Sequence, residues 1–284
     1  MLACASALAC AAIAQSGPAA ALRAKHSELN AQLRQNQFNR PLVMESVEQR
    51  NGLKGDIYGV VDYPFDVVKA ALNSPDHWCD VMILHINTKY CRAAAGPGGI
   101  TLKVNIGKKT PEELADAPRV DFIYRVAASS DDYLDITLSA KDGPLGTSDY
   151  RMHLEAVALP ADKTFLHLTY AYAVNFGGRL AMQTYLATVA SDKVGFTMTG
   201  KGPDGGPAYI AGVRGVVERN TMRYFLAIDS FLDSTRAAPA LQLEQRLQSW
   251  FTAVERYPRQ LHEVERPAYL EMKRAEVARQ RADR

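Results

Sequence analysis

The sequence predicts an α+β fold: an antiparallel sheet of about six consecutive strands, preceded by a hairpin and followed by a long helix. Three observations predict it. Between residues 82 and 174, apolar and polar residues alternate in short runs, which is how strands with one covered face read. Those runs are separated by Gly, Pro, Ser and Asp clusters at hairpin spacing. Residues 211–234 then carry a single apolar stripe at helical spacing.

In chain order, residues 22–40 are polar with scattered Leu and read as a short helix, stopped by Pro41. LVMESVEQ (42–49), Asn51-Gly52 and LKGDIYGVV (53–61) form a hairpin pattern. Pro64 opens a helix over FDVVKAAL (65–72), and Pro75 begins a second helical turn. Six strand-like runs follow: 82–91, 99–107, 120–127, 132–140, 150–159 and 163–174. Their parity places Ile100, Leu102, Val104, Leu134, Ile136, Leu138, Met152 and Leu154 on one face. A hairpin folded about Ala161 sets Leu154 opposite Leu168 and Glu155 opposite His167. GRLAMQTYLATVASDK (178–193) reads as an amphipathic helix and GKGPDGGP (200–207) as a loop. In the long helix Val213, Val217, Tyr224, Phe225, Ile228, Phe231 and Leu232 share a stripe. Of Arg214, Arg219 and Arg223, at least two are expected in solvent, because buried charge needs a partner. Leu241–Val254 reads as a further amphipathic helix, and Pro258 and Pro267 punctuate a charged helical tail.

This order, with the stretch GVVDYPFDVVKAALNSPDHW, resembles the START-like (SRPBCC) superfamily over residues 41–234. The resemblance implies a helix-grip fold, in which a curved antiparallel sheet grips the long C-terminal helix around a cavity. The segment 177–207 and the chain after Pro239 depart from the simplest members. The domain reading is a signal peptide over 1–21, an N-terminal helical segment over 22–40, the helix-grip domain over 41–234 and a helical extension over 239–284.

With 33 Lys+Arg against 31 Asp+Glu and 47% apolar residues, the chain is neither a bulk-charge nucleic-acid binder nor disordered. Residues 1–21 carry no charged side chain. Ala12-Ile13-Ala14 or Ala19-Ala20-Ala21 supplies a cleavage pattern, so a periplasmic or secreted protein is expected. A disordered Ala-rich tail is the bland alternative, and Cys10 lies in a poor lipoprotein context. Cleavage leaves Cys79 and Cys91, an even pair in a compartment that permits a disulfide. Two buried thiols are the alternative.

Gly200-Lys201-Gly202-Pro203-Asp204-Gly205 matches a dinucleotide-loop pattern, but no parallel βαβ unit surrounds it and Pro203 removes a donor. The six His show no tight metal spacing, and His153 and His167 fall on the polar parity of their strands. His77 beside Cys79 is weighed as a dyad and set aside, and no G-x-S-x-G elbow occurs. The reading therefore names no catalytic residue, no metal ligand and no cofactor.

Tyrosine is the informative residue type. Tyr90, Tyr124, Tyr150, Tyr170 and Tyr172 fit the apolar parity of the strands, and several on one face make an apolar cavity with polar handles. The expected ligand-binding residues are Tyr90, Leu102, Val104, Tyr124, Leu168 and Tyr170 on the sheet. On the helix they are Tyr224, Phe225, Ile228 and Phe231. The functional reading is binding, with transport as an extension, of a lipid or other hydrophobic small molecule, with transient membrane contact. The alternatives are a cyclase- or dehydratase-type enzyme on the same fold, and an envelope interaction module with a filled core. The oligomeric state and the ligand stay open.

Overall fold

In a computed structural model of the chain, which describes residues 17–96, 98–178, 180, 192–203 and 205–283, two short helices come first. They are α1 (Pro18–Glu28) and α2 (Asn30–Arg34). β1 (Leu42–Gln49) and β2 (Gly52–Val61) form the expected hairpin, with Leu42 opposite Gly59 and Gln49 opposite Gly52. α3 (Phe65–Leu72) and α4 (Pro75–Met82) follow. Pro75 needs no amide partner at the start of α4, and the Ser74 hydroxyl accepts from the His77 amide at 3.5 Å.

The strand run resolves into β3 (Thr88–Gly96), β4 (Gly99–Ile106), β5 (Arg119–Ser129), β6 (Tyr133–Asp142), β7 (Thr147–Leu159) and β8 (Lys163–Val174). All eight strands join one open antiparallel sheet in the order β1-β2-β8-β7-β6-β5-β4-β3. The parity argument holds residue by residue: Ile136 pairs with Leu154, Leu154 with Leu168, and Glu155 with His167. The hairpin over 160–162 turns through Ala161 (φ 60°) and Asp162 (φ 54°), the left-handed pair a tight hairpin requires.

β9 (Met198–Lys201) and β10 (Pro207–Tyr209) form a small separate ribbon where a loop was expected. The helix expected over 178–193 lies largely outside the described residues. Then come the long helix α5 (Gly212–Ser234), α6 (Gln242–Val254), the single turn α7 (Pro258–Leu261) and α8 (Arg266–Ala282).

α5 lies across β1, β2 and β8, which is the helix-grip arrangement. Two glycines on β2 allow the close approach. A Cβ at Gly59 would stand 2.7 Å from the Phe225 ring, and one at Gly55 would strike the Thr221 hydroxyl. The opposite face of the sheet is not wholly wet. Val43, Tyr58, Tyr133, Val157 and Phe165 project there and are covered by Leu22, Leu29 and Leu33 of the N-terminal helices.

The expectation for the helix arginines is corrected. Arg219 and Arg223 are only 5% and 3% exposed. Arg223 donates to the Glu263 carboxylate at 2.6 Å and Arg219 to the Val194 carbonyl at 3.1 Å. Arg214 donates to the Ser46 hydroxyl at 2.7 Å. Glu218 on the same helix is sealed from solvent, yet accepts from Ser46, from the amides of Phe196 and Thr197, and from the Thr197 hydroxyl. Each buried charge thus has the partners that burial demands.

A disulfide joins Cys79 on α4 to Cys91 on β3, with Cα atoms 5.1 Å apart. Both residues are fully buried in the main core. Closing a loop of 12 residues is worth about 3 kcal/mol in the chain-entropy model. Reduction of unfolded protein should therefore lower the stability recovered on refolding by about that amount. Non-reducing peptide mapping should show the two tryptic peptides linked, and two alkylatable thiols would contradict the bridge.

Candidate functional site

Between the mouth end of α5 and the sheet lies a cavity of about 410 Å³. The strands supply Tyr150 on β7 and Tyr170 on β8, and α5 supplies Asn220 and Tyr224. His85 and Asn87 come from the turn after α4. Ile106 ends β4, Gly107, Lys108, Glu112 and Pro118 come from the β4–β5 connection, and Pro144 and Leu145 from the β6–β7 turn. The walls are thus set by regular elements and the mouth by loops, the usual division between scaffold and site.

The tyrosines form a continuous aromatic surface. Ring centroids are 5.3 Å apart for Tyr170 and Tyr224, 6.3 Å for Tyr150 and Tyr170, and 5.4 Å for the stacked Tyr150 and Tyr172. His85 stacks on Tyr224 at 4.6 Å with the ring planes 26° apart. Burial pushes the Tyr150, Tyr170 and Tyr224 phenols up, so they stay protonated and act as donors. The Tyr150 hydroxyl is used, donating to Thr147 at 2.8 Å. Among the described residues the Tyr170 and Tyr224 hydroxyls make no hydrogen bond.

His85 is a different kind of handle. Burial, reinforced by the Arg223 and Lys273 charges, holds its imidazole well below the ordinary value. The ring is therefore neutral at pH 7. Its Nδ1 accepts from the Asn87 amide at 3.2 Å, which leaves the proton on Nε2. That Nε2 is buried and has no partner of good geometry, and the Asn220 side chain is its polar neighbour. The Glu112 carboxylate at the rim is occupied by the Lys108 amide at 2.6 Å. The cavity thus offers aromatic walls and neutral hydrogen-bond donors, the equipment to hold an apolar body carrying an oxygen acceptor.

Of the expected ligand-binding residues, Tyr170 and Tyr224 line this cavity, and so does Tyr150, another of the strand tyrosines. Leu102, Val104, Leu168, Phe225, Ile228 and Phe231 are buried in the main core and do not line it. Tyr124 is also in the core, with its hydroxyl unpartnered and burial raising its phenol to about 12. Tyr90 stands on β3 beside Asp283, close to the C-terminal helix. Sequence reading missed His85, Asn87 and Asn220 as lining residues. A His inside the apolar run ILHIN was the one signal available.

No protein-family model matches the chain, and no curated protein matches it. Solved structures do. A conserved protein from Geobacillus kaustophilus is 14% identical, with 65% of this chain and 96% of that one covered, at a TM-score of 0.36. A START superfamily protein from Mycobacterium smegmatis is 14% identical over 53% of this chain and 92% of that one, with a TM-score of 0.32. A truncated norcoclaurine synthase from Thalictrum flavum is 15% identical over 51% of this chain and 92% of that one, also with a TM-score of 0.32. The fold assignment stands on the sheet order and the placement of α5.

Proposed function

We propose that this protein binds a small hydrophobic molecule in the cavity between α5 and the sheet. The observation that carries this reading is the set of donors on the aromatic walls: the Tyr170 and Tyr224 hydroxyls, which make no hydrogen bond among the described residues, and His85 Nε2 beside Asn220. Burial of apolar ligand surface supplies the affinity at about 25 cal/mol per Å². The hydroxyls supply orientation. A volume of about 410 Å³ is toward the small end of the ~300–1,000 Å³ span of ligand pockets, which favours a compact ligand over a two-chain lipid. The stacking of neutral His85 on Tyr224 favours a second reading, in which the His85 Nε2–H polarises a bound carbonyl compound by hydrogen bonding. Turnover that disappears in His85→Gln while binding persists would select it.

Two features support where and how the protein works. The Cys79–Cys91 disulfide and the lack of any membrane-spanning helix among the described residues suit an extracytoplasmic protein. Cleavage after Ala14 would leave α1 whole, whereas cleavage after Ala21 would remove its first turn. N-terminal sequencing of the exported protein should therefore begin at Gln15, and a start at Leu22 would contradict this choice. Leu145 and Phe176 are 86% and 85% exposed beside the mouth, where the Asn175 amide donates to the Gly146 carbonyl at 3.0 Å. Apolar side chains held out at an entrance suit brief contact with a membrane.

A fluorescent fatty acid and an uncharged aromatic dye test the reading. Saturable binding is expected, weakened about 2- to 10-fold by Tyr224→Phe, the range of one hydrogen bond. Dye offered in vesicles should transfer more slowly to Phe176→Ser than to wild type, with unchanged affinity for free dye. If neither probe binds saturably and native mass spectrometry finds no copurified ligand, the cavity is not a binding site.

A further inference from the structure

We infer that the outer face of the sheet carries a site for a divalent metal ion of the zinc class, built from Asp135, His153 and Glu155. The three residues offer one ligand atom each, and these atoms all lie within 4.8 Å of one another. The sheet produces this triangle directly. Asp135 on β6 is paired across the ladder with Glu155 on β7, and His153 precedes Glu155 by two residues on the same face. Their neighbours Leu134, Ile136 and Leu154 turn into the core, so the triangle faces away from the tyrosine cavity.

The donors suit such an ion. One imidazole nitrogen and two carboxylate oxygens make a three-ligand set, and zinc sites of that size keep a fourth position for water. The side chains are about one-fifth to one-quarter exposed, so solvent reaches the site. A groove of about 440 Å³, lined by His153, His167 and Thr169 among others, adjoins it and leaves room for that fourth ligand. Outer hydrogen bonds already orient Glu155. Its carboxylate accepts from the Tyr133 hydroxyl at 2.7 Å and from His167 Nδ1 at 3.0 Å, and His167 Nε2 reaches Asp56 at 2.9 Å. Metal ligands are commonly fixed by such second contacts. The charge balance points the same way. Among the described residues neither Asp135 nor Glu155 is ion-paired with a Lys or Arg. Asp135 therefore has only imidazole and phenol partners, Glu155 shares the His167 imidazole with Asp56, and a divalent cation would compensate the charge that remains.

His153 Nε2 now stands 2.8 Å from Asp135 Oδ1. Metal bonds of about 2.0–2.2 Å in a tetrahedron put ligand atoms about 3.3 Å apart. The pair must therefore open by about half an ångström, within reach of side-chain rotation. Binding would tie β6 to β7 on the solvent side. Sequence spacing does not reveal the site, because its ligands come from two strands and H-x-E is too short to be specific.

Titration of the metal-stripped full chain with Zn²⁺ at pH 7.5, followed by calorimetry, tests the inference. One Zn²⁺ per chain is expected, with the dissociation constant raised at least tenfold in His153→Gln and in Asp135→Asn. His262→Gln, a distant imidazole flanked by carboxylates, should bind as wild type does. Zn²⁺ should also raise the thermal midpoint of wild type and not that of His153→Gln. Co²⁺ should give visible absorption bands that His153→Gln abolishes. Sub-stoichiometric binding by wild type, or one-to-one binding that survives both ligand substitutions, would overturn the site.

Discussion

Replacing Glu276 with Gln should cost the folded protein about 3–5 kcal/mol, the cost of breaking a buried ion pair from one side. Glu276 on α8 is 3% exposed and lies between two lysines with no exposure at all. It accepts from Lys89 at 3.0 Å and from Lys273 at 2.8 Å. Lys89 also donates to the Thr110 carbonyl at 3.0 Å, and Lys273 to the carbonyls of His85 and Thr88 at 2.8 and 2.7 Å. The carboxylate therefore ties α8, β3 and the β4–β5 connection to one point. Without its charge, two ammonium groups face each other in a desolvated space. Equilibrium denaturation with the disulfide intact measures the loss. A change below about 1 kcal/mol would mean that water reaches the cluster and that the burial is not real.

The same cluster gives a pH signature. Burial lowers the Lys273 ammonium from 10.5 to about 8. Between those values the unfolded chain holds a proton that the folded chain has released, so this group makes stability rise with pH from about 8 toward 10.5. Below about 8 both states are charged and its contribution is flat. The buried phenols act in the opposite sense above about 10, where unfolded tyrosines ionise first. The Lys273 part is isolated as the difference between wild type and Lys273→Met. That difference should grow in favour of wild type between pH 8 and pH 10, and a flat difference would sink the assignment.

How much of this was legible in the sequence depended on periodicity. The strands and their register could be read, because a one-residue slip would send Leu154 and Leu168 to solvent. The long helix could be read from its stripe. Where charged side chains go could not. Arg223 looks like a solvated residue in sequence, and its buried partner is a carboxylate elsewhere in the chain, while Lys273 and Glu276 are three residues apart, a spacing that an exposed helix pair shares. For Arg223 that partner is Glu263, beyond α7. The cavity was half legible for a related reason. Strand parity identifies which residues face the core and placed Tyr170 there, and the helical stripe placed Tyr224 there, as inward residues. Parity does not say whether the space beside an inward residue is filled. That is decided by the connections at 106–118 and 144–145, which have no period to read. His85 escaped because one imidazole in an apolar run carries no pattern at all.

The stripe on α5 should accordingly divide into two classes of residue. Phe225 is 1% exposed, packs over Gly59 and lies under the Arg40 guanidinium at 5.1 Å. Ile228 has no exposure, and neither residue touches the cavity. Phe225→Ala should therefore open a void and cost about 3–5 kcal/mol. Ile228→Trp should overpack the same region and cost about 1–3 kcal/mol. Both should leave dye affinity within about twofold, since Phe225 projects over Gly59, about 100° round the helix from Tyr224, and Ile228 lies a full turn beyond Tyr224. Tyr224→Ala should reverse the pattern. Its ring borders open volume, so less packing is lost than at Phe225, while the ligand loses an aromatic wall and a donor. Denaturation and dye titration on the three variants measure both quantities. If Phe225→Ala costs under about 1 kcal/mol and shifts dye affinity tenfold, the hollow region extends along the helix and the core described here is not filled. If Ile228→Trp is stable and excludes dye, the same conclusion holds from the opposite substitution: a side chain that should strain a packed core has instead occupied the ligand's place.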